Sequence, residues 1–194
     1  MSFWSAVGPE PKRNYRWVVR FAGAAGLSDI SFALKKVDKP KLKIASVAHS
    51  YLNHKFKYPG RVEWEPIAMT FAAVAQPDAI NIVNNVILGA GYGVPTLEKP
   101  AQGAQLATVG KRKFNNAMGN NITIIQVDAD GLSIEEWDIY HPFFTSITFG
   151  ALDYSSEEIV EINCNIDYDW AQLRVGSSDE AALLNPGFPG TPNT

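Results

Sequence analysis

From Glu158 to Leu173 polar and apolar residues alternate: Ile162, Cys164, Ile166, Tyr168 and Trp170 against Glu161, Asn163, Asn165, Asp167 and Asp169. Side chains change faces at every residue only in an extended chain, so this run predicts one long, half-buried strand. The same period recurs near the start, where Tyr15, Trp17, Val19 and Phe21 alternate with Asn14, Arg16, Val18 and Arg20. A sequence built mostly on period two has to bury sheet faces, which points to a β-sandwich or barrel.

Further strands are expected at Asp29–Val37, with Ile30, Phe32 and Leu34 inward, and at Ile122–Val127, Ile134–Tyr140 and Thr145–Leu152. Lys41–Tyr58 reads as a hairpin with Asn53 or its neighbours at the tip, and Pro59-Gly60 as a turn dipeptide. Strand signals resume from Val62 to Val74, where Pro66 marks an edge, a bulge or a break. The spacing of Ala79, Ile80, Val83, Val86 and Ile87 predicts one flanking helix over about 78–88, capped by Asp78. A glycine-rich loop follows, then a short helix around Leu106–Ala107 and a polar segment Lys111–Asn116.

The chemistry of enzymes is hard to find in these residues. Gly89-Ala90-Gly91-Tyr92-Gly93 ends a helix where a dinucleotide motif would open one, and Arg112 stands where a phosphate-binding loop needs Ser or Thr. His49, His54 and His141 have no metal-site spacing, and His49 and His54 share a face only if a turn lies between them. The single cysteine, Cys164, sits among apolar strand residues and reads as inert packing. The acids around Asp138 read first as a wetted strand face, and the Lys111-Arg112-Lys113 cluster lacks an aromatic platform for nucleic acid. No catalytic, cofactor-binding or metal residue is therefore assigned. No apolar run approaches the roughly 18–20 residues of a membrane span, and the expectation is a soluble protein folded in a reducing cytosol.

Charge is distributed unevenly. Residues 1–60 hold eleven Lys/Arg against three acids, whereas residues 128–194 hold Arg174 alone against thirteen acids. Either the two ends are neighbours within one subunit, or the basic part of one copy faces the acidic part of the next.

Three stretches resemble one family. They are Trp137-Asp138-Ile139-Tyr140-His141-Pro142-Phe143-Phe144-Thr145, Leu152-Asp153-Tyr154-Ser155-Ser156-Glu157-Glu158-Ile159-Val160, and Tyr168-Asp169-Trp170. This run resembles the C-terminal half of tail tube proteins of contractile-tailed bacteriophages. Upstream, Gly60-Arg61, Glu63-Trp64-Glu65-Pro66-Ile67 and the helix opening at Asp78 resemble the same family. The similarity runs in order from Tyr15 to Trp170 and is weaker between Gly89 and Asn121.

The resemblance implies a mainly β, sandwich or barrel-like tail tube fold whose long hairpin contributes to an inner barrel shared between subunits. It implies a structural protein and not an enzyme, without cofactor or membrane anchor. Its partners would be itself, in stacked hexameric rings, and the sheath, baseplate and tail terminator proteins. It would be made in the bacterial cytoplasm and reside in the virion tail, where DNA passes through the lumen without specific binding. The hairpin residues expected between subunits are Lys41, Lys43, Ile44, Lys55, Phe56 and Lys57, and the lumen candidates are Glu161, Asn163, Asn165, Asp167 and Asp169. The basic hairpin argues against a uniformly negative lumen. Residues 1–173 are expected to form one domain, and residues 174–194 a flexible extension or inter-ring arm. The alternatives are a baseplate tube initiator, a secretion-system (Hcp-like) tube subunit, or a soluble β-sandwich binding module.

Overall fold

The computed structural model describes residues 12–23, 26–93, 108–155 and 157–175. Two four-stranded antiparallel sheets face one another. The first has the order β1 (Trp17–Phe21), β6 (Asn121–Val127), β7 (Ser133–Tyr140) and β10 (Trp170–Val175). The second has the order β2 (Leu34–Val37), β5 (Ile67–Ala72), β9 (Glu161–Asp167) and β8 (Phe143–Thr148). Val19, Phe21, Ile122, Ile124 and Ile139 on one sheet meet Ile67, Met69, Phe71, Ile162, Cys164 and Ile166 on the other in a single core. These are the alternate residues of each strand, so period two in the sequence becomes the inner face of a sandwich.

Helix α1 (Ala79–Gly89) forms as expected. The Asp78 carboxylate accepts hydrogen bonds from the N–H groups of Ile80 (3.0 Å) and Asn81 (3.2 Å), and Ala79, Val83 and Val86 are buried. There is a second helix, α2 (Lys111–Met118), where only a polar segment was expected. Phe114, Ala117 and Met118 lie at i, i+3 and i+4, enough to bury one face, and Phe114 packs on Phe143 and Phe144 of β8. Three charged residues at its start obscured that stripe. The expected helix at Leu106–Ala107 lies outside the described residues.

Three other readings need correction. Asp29–Val37 is not one strand: Leu27–Ala33 forms a 3-10 helix and only Leu34–Val37 is extended. Leu27, Ile30 and Ala33 are buried at a period of three, which eclipses them on one face of a 3-10 turn, and Phe32 is exposed instead of inward. The long strand at Glu158–Leu173 is two, β9 and β10, on different sheets. The chain crosses between sheets at Tyr168-Asp169, where the Asp169 N–H bonds to the Tyr140 carbonyl at 3.1 Å. Alternation survives the crossing because Tyr168 is itself buried, so periodicity could not reveal it. Thr145–Leu152 likewise shortens, because β8 stops at Thr148.

The third sheet stands apart. β3 (Lys41–Tyr51) and β4 (His54–Glu65) pair antiparallel with each other, in a sheet that among the described residues holds only those two strands. The turn is at Leu52-Asn53, as expected, with Leu52 at φ 52°. Pro59-Gly60 is not a turn but part of β4, which runs on to Glu65 before breaking at Pro66.

Candidate assembly surfaces

The pairing of β3 with β4 fixes which hairpin side chains share a face. Leu42 pairs with Trp64 and Ile44 with Val62; then β4 carries one extra residue opposite Ala45, and pairing resumes at Ser46 with Pro59. Gly60 occupies that bulge. A Cβ there would lie 3.1–3.3 Å from the Ala45 backbone and side chain, so any larger residue would press Ala45 aside by a few tenths of an ångström. β3 itself alternates without interruption.

It follows that the two halves of the hairpin have opposite polarity. Near the body, Leu42, Ile44, Val62 and Trp64 form an apolar face, with Lys41, Lys43, Glu63 and Glu65 behind it. Beyond the bulge, Val47, His49, Tyr51, His54, Phe56 and Tyr58 form an aromatic face on the other side. Ser46, Ala48, Ser50, Lys55 and Lys57 lie opposite them. The expected hairpin residues thus fall on two faces: Ile44 with Lys55 and Lys57, and Phe56 with Lys41 and Lys43. The turn also brings His49 and His54 to one face as diagonal neighbours.

Almost nothing on this ribbon is covered. All eleven residues of β3 are exposed, as are ten of the twelve in β4. Exposed apolar residues include Val47 (62%), Tyr51 (64%), Phe56 (49%) and Val62 (54%). The base alone is anchored, with the Trp64 ring 6.0 Å from that of Tyr168. A two-stranded ribbon with bare apolar faces and open edges is marginal in water, so its sequence makes sense when other strands or surfaces cover it.

The lumen candidates divide. Glu161, Asn163, Asn165 and Asp167 lie together on the outer face of β9, opposite buried Ile162, Cys164 and Ile166. Three of them are already engaged there: Glu161 pairs with Lys35, Asn163 accepts from the Thr70 hydroxyl (2.8 Å), and the Asn165 amide donates to the Ser146 hydroxyl (2.8 Å). Asp169 is not with them. It sits between Lys111 and His141 Nδ1 (2.8 Å), and the Lys111 hydrogen bond chiefly holds its carboxyl below the ordinary range.

The acids near Asp138 have structural partners. Asp138 is buried, pairs with Arg174 and accepts from the Thr123 hydroxyl at 2.7 Å. Glu135 is also buried. Desolvation raises its pKa, but hydrogen bonds from Lys12, Lys39 and Trp137 Nε1, together with the Lys39 charge, outweigh it and bring the value to about 2. Burial pushes the Cys164 thiol up to about 12, as suits a packing residue. Among the described residues no group of three or more His, Cys, Asp or Glu could hold a metal ion.

No family model matches the chain, and no curated protein matches it in sequence. Solved structures do. A chain from the cryo-EM structure of the anti-feeding prophage cap, the tube terminating cap, superposes with a TM-score of 0.62 at 18% identity. The match covers 91% of this chain and 100% of that one. A chain from the six-fold symmetrised anti-feeding prophage baseplate gives 0.60 at 11% identity, covering 87% and 98%. A chain from the PVC sheath-tube complex, an extracellular contractile injection system in the extended state, gives 0.58 at 16% identity, covering 86% and 93%. This chain is mainly β and has the tail tube fold.

Proposed function

We propose that this chain is a structural subunit of a contractile injection tail, one that self-associates into rings and stacks them into a hollow tube. The observation that carries the reading is the hairpin, a ribbon of eleven and twelve residues whose apolar faces and open edges no described residue of its own subunit covers. Edge pairing with hairpins of neighbouring copies satisfies the free N–H and C=O groups and extends the two apolar faces, Ile44 with Val62 on one and Val47 with Phe56 on the other, so that each packs against its counterpart in the next copy. Each such side chain contributes roughly 1.5–3 kcal/mol when fully buried. The residue set for this contact remains Lys41, Lys43, Ile44, Lys55, Phe56 and Lys57.

The tail tube fold supports the finer form of the reading: six copies per ring, a sheath outside, a baseplate below, a terminator above, and genomic DNA in the lumen of a phage tail. In that arrangement Glu161, Asn163, Asn165 and Asp167 are candidates for the wall, as polar groups that do not grip a polyanion. The likeness to a tube terminating cap favours one second reading, a subunit that forms a single end ring.

Negative-stain electron microscopy of the purified protein across a concentration series tests both. Stacked rings or hollow tubes that lengthen with concentration support the tube subunit, and single rings that never stack support the end ring. A monomer at every concentration, also in the presence of a tube-initiating complex, contradicts both.

A further inference from the structure

The connection between β8 and β9 shows a second set of apolar residues held in water. Leu152 (89%), Tyr154 (112%) and Ile159 (65%) are exposed. The loop is nevertheless braced. The Asp153 carboxylate accepts from the backbone N–H (2.9 Å) and the hydroxyl (2.8 Å) of Ser155. At its start Gly150, with φ 83°, lies so close to the Glu161 backbone that a Cβ would stand 2.8 Å from the carbonyl oxygen. Residues 150–160 contain Asp153, Glu157 and Glu158 and no Lys or Arg.

The outer hairpin is its complement. Val47, Tyr51, Leu52, Phe56 and Tyr58 are exposed there, and residues 42–62 contain Lys43, Lys55, Lys57 and Arg61 and no acid. Topology keeps the two apart within one subunit. β5 pairs with β9 so that Ile67 lies beside Ile166 and Ala72 beside Glu161. The hairpin leaves the sheet at the Ile67 end, whereas the acidic loop enters β9 at the Glu161 end. At about 3.3 Å per residue the tip lies a further ~35 Å outward. A basic apolar projection at one end and an acidic apolar loop at the other make a head-to-tail pair between copies, a heterologous contact that repeats.

We propose that the hairpin tip of one copy seats on loop 150–160 of the next through the face that carries Lys55 and Lys57, which meet Asp153 and Glu157, while Leu52 at the turn packs against Leu152 and Tyr154. This rests on the self-assembly proposed above and names the partner surface for the hairpin. It also gives Lys55 and Lys57 acidic partners in the next copy, whereas Lys12, Lys35 and Lys39 already pair with Glu135 and Glu161 inside the subunit.

Charge exchange tests it. Lys55→Glu with Lys57→Glu, and separately Asp153→Lys with Glu157→Lys, change only exposed residues, so thermal melting should match the unaltered chain. Because Asp153 also braces the loop through Ser155, Glu157→Lys alone, which leaves that brace in place, should shift the assembly threshold in the same direction as the pair. Each pair should raise the concentration at which assembly begins by about tenfold or more, and all four together should return it to within about threefold. If the loop pair assembles at the unaltered threshold, or the four-fold variant does no better than either pair, the loop is not the hairpin's partner. Self-assembly itself would stand in that case. Failure of the unaltered chain to assemble at all overturns the self-assembly reading, and this contact with it.

Discussion

The body and the hairpin of this subunit are both antiparallel β-structure, yet they solve the burial problem in opposite ways. In β5, Ile67, Met69 and Phe71 are fully buried, each covered by residues of the same chain. In β3 and β4 the equivalent apolar residues, Ile44, Val47, Phe56 and Val62, remain in water. The difference is not composition but partners: β5 has β2 and β9 on either side and a sheet above it, while among the described residues the hairpin has only itself. A strand whose partners lie outside the subunit keeps its edges open, so the proposed assembly draws on the uncovered region.

Substitutions should separate the two regions cleanly. The largest effect is expected in the body: Phe71→Ala removes a fully buried ring that lies tilted against Phe21 and should cost about 3–5 kcal/mol by chemical denaturation. The hairpin should behave in reverse. Ile44→Asp or Phe56→Asp should leave unfolding unchanged within about 0.5 kcal/mol, as for surface positions. Assembly followed by light scattering should nonetheless be suppressed, at least a hundredfold in threshold concentration, about 2.7 kcal/mol. A hairpin substitution that unfolds the subunit, or one that leaves tubes intact, would erase the distinction.

Smaller effects sharpen the description of the body. Glu135 has its pKa lowered from 4.5 to about 2, so its ion pairs add stability above the unfolded value that is lost as pH falls from about 4.5 toward 2. Glu135→Gln should flatten that part of the stability–pH curve in urea titrations at pH 6 and pH 3. Asp78→Ala, which removes the α1 cap, should cost about 1 kcal/mol and leave the assembly threshold unaltered.

Much of this organisation is legible in the sequence, for physical reasons that also mark where legibility stops. The strands of the two sheets are visible because one face is buried and the other wet, and α1 because Asp78 and the apolar stripe agree. The hairpin and its tip are visible in the alternation on each side of Asn53, but Pro59-Gly60 reads as a turn because a bulge and a turn ask for the same residues. The split between β9 and β10 is hidden because Tyr168 keeps the period while the chain changes sheets. In the sequence Asp169 falls into one series with Glu161 and Asp167 for that reason, although Lys111 and His141 hold it elsewhere. The reversal of the hairpin's apolar face is hidden as well. It depends on the one-residue offset at Gly60, which is a matter of pairing and not of either strand alone.

The central claim is that the hairpin is completed only between copies, and amide hydrogen exchange before and after assembly tests it most directly. In the monomer, amides of β5 and β9 should be protected while the outward amides of β3 and β4 exchange quickly. After assembly, residues 41–65 should gain protection approaching that of the body. Assembled particles in which those amides exchange as fast as in the monomer would contradict the account.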